Sequence, residues 1–170
     1  MNNQSVNLAG DGVVGDVTVF SLSGTTLTGA AGPFTGVTAI KLDMKLGDDS
    51  ATVVGVRITG ALTFLGGDGN NTLNVGAGTQ SFGSITVTNG DGNDIFDVDG
   101  SAVTSNITVS GAVTVNHGDG DDTNSFGETG LTTISFGSLK ITSGDGVSQV
   151  KAPAGNGTVV CVTADWSVSC

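Results

Sequence analysis

The chain has 170 residues, and 16 acids against five Lys or Arg give a formal charge of −11 and a pI near 4.1. That imbalance excludes a phosphate-neutralising stripe for nucleic acid and attachment to an anionic membrane, and no apolar run approaches the ~18 residues of a membrane span. Glycine supplies 29 residues without the every-third spacing of collagen, while a hydrophobic fraction of 37%, rich in Val, Ile and Leu, exceeds what a disordered chain carries.

The first segment, Ser5-Val6-Asn7-Leu8 followed by Gly10-Asp11-Gly12, reads as a truncated repeat, and Met1-Asn2-Asn3-Gln4-Ser5 lacks the basic and apolar regions of a signal peptide. A pattern of small, aliphatic, Thr/Lys, aliphatic residues then recurs six times, opening at Asp16, Ala39, Ala61, Ser84, Ala112 and Ser138. Its second positions, Val17, Ile40, Leu62, Ile85, Val113 and Leu139, are separated by 23, 22, 23, 28 and 26 residues. The fourth positions, Val19, Leu42, Phe64, Val87, Val115 and Ile141, are all apolar, and the third positions between them are Thr or Lys. This is the two-residue alternation of a strand with one buried face.

Each copy runs on into a turn. Its ninth position is Gly24, Gly47, Gly69, Gly92, Gly120 and Gly146, which calls for a backbone with positive φ or close approach to a neighbour. Position eight is Asp68, Asp91, Asp119 and Asp145 in the last four copies, and position eleven is Asp49, Asn71, Asp94 and Asp122 in four consecutive ones. A second alternating strand follows, with Leu73, Phe96 and Val150 sharing one position and Val53, Val75, Val98 and Phe126 another.

Helices are excluded by the density of Gly, Thr, Ser, Asn and β-branched residues. A copy holding two or three short strands cannot close a core alone, but stacked copies join their inward aliphatics into one column. The expected fold is therefore all-β, a parallel β-solenoid of about six coils with 22–28 residues per coil over residues 1–157. Residues 158–170 would form a terminal strand or cap, because Val160-Cys161-Val162 repeats the strand motif 21 residues beyond Leu139. The extra residues of the longer coils should lie as loops on one side. An antiparallel sandwich is the alternative, and it does not account for the glycine column.

The stretch GGDGNNTLN from Gly66 to Asn74 resembles the RTX calcium nonapeptide, G-G-x-G-x-D-x-U-x, with Asn71 in place of the Asp. NGDGNDIFD from Asn89 to Asp97 matches from its second position, with Asp94 and Phe96 in the expected places, and HGDGDDTNS from His117 keeps Gly118, Gly120 and Asp122. The resemblance implies turns that bind calcium between stacked coils. RTX nonapeptides follow each other directly, whereas these recur once per coil. The longer coil is similar in texture to bacterial secreted β-helix proteins, such as autotransporter and haemagglutinin-type passengers.

Stacking also makes an electrostatic problem. Two carboxylates one rung, ~4.8 Å, apart repel by about 0.9 kcal/mol at water's dielectric and about 3.5 kcal/mol at an effective value of 20. A hard cation would relieve this, so Asp68, Asp91, Asp94, Asp119, Asp121, Asp122 and Asp145 are candidate calcium ligands, with Asp97 nearby. The alternative is that each Asp accepts bonds from the N–H groups of its own turn. His117, the only histidine, is expected as a solvated loop residue, and Arg57 on the outside of a strand. Cys161 and Cys170 suit a terminal disulfide in an oxidising compartment, two buried thiols being the alternative.

No Ser has a repeated context with a base and no acid–base groups cluster on a groove, so an enzyme, such as one acting on polysaccharide, is not expected. Ice binding through the Thr column is disfavoured because Lys41 and Lys140 interrupt it. The expected function is structural: a secreted or cell-surface solenoid that stacks head to tail on copies of itself or serves as an adhesin stalk. Calcium binding at the Asp-Gly turns is the second expectation, and a surface or carbohydrate is the external ligand class open to such a stalk.

Overall fold

In the computed structural model, residues 5–10, 13, 15, 17–23, 34–76, 78–98, 105–127, 132–151 and 158–161 are described. Strands β1 (Ser5–Ala9) and β2 (Thr18–Ser23) precede the stacked repeats. The first coil supplies β3 (Ile40–Asp43) and β4 (Ser50–Val54), and the second β5 (Ala61–Gly67), β6 (Thr72–Val75) and β7 (Thr79–Phe82). The third has β8 (Ser84–Asn89), β9 (Ile95–Val98) and the first half of β10 (Ser105–Asn116). The fourth takes the second half of β10, then β11 (Thr123–Phe126) and the first half of β12 (Thr132–Thr142). The rest of β12 leads to β13 (Gln149–Lys151) and β14 (Thr158–Cys161).

These strands wind into a parallel β-solenoid. One sheet runs β13-β11-β9-β6-β4-β1-β2 and the other β14-β12-β10-β8-β5-β3, with β7 pairing the first half of β10. The register stacks equivalent residues: Ile40 on Leu62, Leu62 on Ile85, Ile85 on Val113 and Val113 on Leu139. The second strand behaves likewise, Leu73 meeting Phe96 and Val75 meeting Val98, which meets Phe126. A third strand per coil stacks Gln80 on Ile107 and Ile107 on Ile134. Five motif strands therefore pile up in about four full turns, where the sequence had suggested about six coils.

The alternation of the motif becomes burial. Leu62, Phe64, Ile85, Val87, Val113 and Val115 are fully enclosed, while the intervening threonines are half-buried and Lys41 and Lys140 exposed. Each enclosed side chain stabilises the stack by about 1.5–3 kcal/mol. Phe96, Phe126 and Phe136 add edge-to-face contacts, with ring centroids 5.8 and 5.5 Å apart.

The first sequence copy departs from the rest. Val17 does not stack on Ile40; it bridges Phe34 antiparallel, and β2 pairs antiparallel with β1. Its turn positions differ too: Ser23 and Thr26 stand where later copies carry mostly Asp or Asn, and the strand runs on to Ser23. Gly24 lies outside the described residues. The truncated segment before it does form a rung, since β1 pairs parallel with β4.

At the other end Val160 does not extend the Leu139 column. β14 pairs with the first half of β12, putting Val159 beside Ile134 and Cys161 beside Phe136. That alternation continues the third strand of the coil, not the first. The residues added in the longer coils fall in sequence mainly between β9 and β10 and between β11 and β12, so the loops expected on one side lie largely outside the described residues; a further register shift stands between Val109 and Ala112.

Candidate functional site

Every coil turns at the same corner, and the glycine there has no substitute. Gly92 has φ 147°, and a Cβ on it would lie 2.1 Å from the carbonyl oxygen of Gly69 in the coil before. Gly47, Gly69, Gly120 and Gly146 share the positive φ, between 123° and 149°. The backbones come this close because Gly69 N–H donates to Asp91 O (2.9 Å) and Gly92 N–H to Asp119 O (2.9 Å), one coil ahead.

Around this glycine, three files of Asp and Asn run along the stack. At position eight, Asp68 Oδ1 accepts from Asp91 N–H (3.3 Å), Asp91 Oδ1 from Asp119 N–H (3.1 Å) and Asp119 Oδ1 from Asp145 N–H (2.7 Å). At position ten, Asp48, Asn70, Asn93 and Asp121 accept from Asn70, Asn93, Asp121 and Val147 N–H at 2.8–2.9 Å. Both files are exposed and each side chain reaches forward to the next coil. The amides bound are thus those of the neighbouring coil, not of the residue's own turn.

Position eleven is different in both respects. Asp49, Asn71, Asp94 and Asp122 are buried, and the side chains reach backward: Asp122 Oδ1 accepts from Asp94 N–H (3.1 Å) and Asp94 Oδ1 from Asn71 N–H (2.8 Å). The seven candidate calcium ligands are therefore divided. Asp68, Asp91, Asp119, Asp121 and Asp145 lie outside, whereas Asp94 and Asp122 are enclosed at 0% and 1% exposure.

Facing position eleven across the corner is position six, occupied in turn by Met44, Gly66, Asn89, His117 and Ser143. His117 is not the solvated loop residue expected, because position six faces inward; its side chain has no exposed surface. Its Nδ1 is 3.1 Å from Asn89 Nδ2 and its Nε2 3.2 Å from Asn124 Oδ1. An amide nitrogen offers only protons, so Nδ1 presents a lone pair and Nε2 carries the hydrogen that Asn124 accepts. The same Nδ1 lies 3.8 Å from Asp94 Oδ2.

The residues of this seam are not equally well served. Asn71 closes its own turn, donating from Nδ2 to the carbonyls of Gly67 and Gly69, both at 2.9 Å. Asp122 Oδ2 accepts from the hydroxyls of Ser143 (2.7 Å) and Ser148 (3.2 Å). Asp94 Oδ2 has no hydrogen-bond partner, and neither has Asn89 Oδ1. Burial accordingly pushes the Asp94 carboxyl up to about 6, against the downward pull of the Asn71 amide and with a further push from Asp122. Asp94, His117 and Asp122 each present a potential ligand atom, and these three atoms lie within 4.8 Å of one another.

Elsewhere, Arg57 sits between inward-facing Val56 and Ile58, as an outward residue, but is half-buried beside Ser81. Cys161 ends β14, and the pairing with Cys170 lies outside the described residues. Of the seam residues that sequence reasoning missed, Asn89 and the inward His117 had a signal: position six turns polar at Asn89, His117 and Ser143, coils in which position eleven across the turn glycine is polar as well, whereas Asn124 stands where the other coils carry Leu73, Phe96 and Val150. Comparison with known proteins gives no match, neither to a family model, nor to a curated protein, nor to a solved structure.

Proposed function

We propose that the protein is a non-enzymatic structural β-solenoid of the secreted or cell-surface kind, one that stacks end to end on copies of itself. The observation that supports this is the complementarity of the two ends of the turn column. Within the stack, each coil offers forward the carboxylate at position eight and the glycine N–H at position nine, and the next coil receives them with its position-eight N–H and C=O. Asp145 and Gly146 hold the forward groups of the last turn, and Leu46 holds the receiving position of the first. A second copy set one rung beyond would continue the same bonds. Stacking of this kind is heterologous and gives an open filament. The texture shared with bacterial secreted β-helix passengers agrees with this role.

Electron microscopy of the purified protein over a range of salt and calcium tests the proposal. Filaments one solenoid wide are expected, and Asp145→Lys should shorten or abolish them while leaving the fold intact. Monodisperse particles under every condition would overturn it.

Calcium at the outer turns is a second reading, favoured by Asp68, Asp91 and Asp119, which each commit only Oδ1 to an amide along one exposed file. Calorimetry with calcium and melting with and without chelator test it. Absence of heat, together with an unchanged melting temperature, counts against it.

A further inference from the structure

We propose that Asp94, His117 and Asp122 form a buried binding site for one divalent transition-metal ion of the zinc class. Its starting point is a residue that stability alone does not explain. Asn71 and Asp94 occupy the same position in consecutive coils and use Oδ1 in the same way, each accepting an amide of the coil before. The second atom of Asn71 is an NH2 that satisfies two turn carbonyls, whereas the second atom of Asp94 is an oxygen, wholly enclosed, with nothing to accept from. An Asn at position 94 would have closed its turn; the Asp leaves an acceptor aimed into the seam.

Other electron-pair donors meet it there. The Nδ1 lone pair of His117 is 3.8 Å away, and Asp94, His117 and Asp122 can each supply one ligand atom such that the three lie within 4.8 Å of one another. An ion at the centre of such a triangle of atoms lies at most about 2.8 Å from each corner, so an inward movement of up to about 0.6–0.8 Å by each ligand reaches the ~2.0–2.2 Å of zinc–nitrogen and zinc–oxygen bonds. Once the ion takes the Nδ1 lone pair, the Asn89 amide loses its acceptor there, and turning it over would offer its unpartnered Oδ1 to the ion as a fourth donor.

The charges balance, since a dication cancels two carboxylates beside a neutral imidazole, where two buried anions alone are costly. Imidazole nitrogen in the set favours zinc, cobalt or nickel over calcium and magnesium, which prefer oxygen alone. Nε2–H bonded to Asn124 Oδ1 is the outer-shell contact common to metal-bound histidines and keeps the lone pair on Nδ1, which exchanges its bond from the Asn89 amide for the ion. Enclosure of all three groups means that the ion enters as the chain folds.

The test is to unfold the full chain, refold it with zinc or with chelator, dialyse against metal-free buffer and measure retained zinc by elemental analysis. One equivalent per chain is expected, with a higher melting temperature than the chelator-treated protein. Asp94→Asn and His117→Asn are the informative variants, because Asn71 and Asn89 already hold those positions in neighbouring coils and the fold tolerates them. Both should lose retention by about a hundredfold, while Asp91→Asn on the outer file keeps it. Without metal, Asp94→Asn should melt above the parent chain, its new NH2 serving the turn; with zinc the order should reverse.

His117 is the only histidine, so a long-range proton–nitrogen spectrum contains one imidazole and reads Nδ1 directly. Its resonance should move on loading with zinc. No zinc retained by the refolded parent, retention by either variant equal to the parent's, or an unmoved Nδ1 resonance would each overturn the site.

Discussion

The outer and inner files of the turn column are built from the same two residue types only one to three positions apart, yet they do opposite things. Asp91 and Asn93 stand in water and hold the amides of the coil that follows. Asp94, next in sequence, is enclosed and holds the amide of the coil before. The difference is one of dielectric. Outside, a carboxylate with one oxygen bonded to an amide has water for the other, and repulsion along the file is screened by salt. Inside, every unserved oxygen carries its desolvation penalty, so each position needs its own remedy: an amide at Asn71, two serine hydroxyls at Asp122, and at Asp94 none from the protein's own hydrogen bonds.

Substitutions measured by urea and thermal unfolding in chelator-treated protein separate the two files. Gly92→Ala should cost the most, about 3 kcal/mol or more, since it strains a φ of 147° and drives a methyl into the Gly69 carbonyl, disturbing both files together. A loss below 1 kcal/mol would mean that the coils can move apart at this corner. Asp122→Ala should cost about 2–4 kcal/mol, because the buried Asp94 N–H loses its acceptor and so do the Ser143 and Ser148 hydroxyls.

The corresponding change outside, Asp91→Ala, should cost only about 0.5–1 kcal/mol, water replacing the carboxylate at the Asp119 amide. Equal losses at 91 and 122 would erase the distinction drawn here. Smallest of all, Asp91→Asn keeps an acceptor for that amide and removes a charge between Asp68 and Asp119. It should be neutral or stabilising by a few tenths of a kcal/mol at low salt, the gain fading as salt is raised.

The architecture was largely legible in the chain. Alternation at Leu62, Phe64, Ile85 and Val87, joined to a glycine at a fixed distance, is enough to stack the coils, because only one register puts both the apolar pairs and the turns in line. Misplacing Val17 came from weighing the strand motif without its turn, for this is the one copy with no acid or amide at either position eight or position eleven, Ser23 and Thr26 standing there. The third strand was hard to see because Gln80, a polar residue, takes an inward position, its Nε2 donating to the Gly76 carbonyl.

The seam was hidden for a related reason. Grouping the aspartates by type put Asp94 and Asp122 with Asp91 and Asp119, whereas their offset from the turn glycine decides which way they face. His117, considered alone, looks like a polar residue in a polar loop. Beside Asn89 and Gly66 at the same offset in the preceding coils, it belongs to a file lining the inside of a corner.

Because the outer side chains clasp the coil ahead and the inner ones the coil behind, neither neighbour can peel away without tearing bonds of both senses. The third coil illustrates it: Asp91 secures the fourth through the Asp119 amide while Asp94 secures the second through the Asn71 amide. Solvent exchange of those backbone protons should therefore follow one shared opening of adjacent coils, with matching rates at the Asn71 and Asp119 amides.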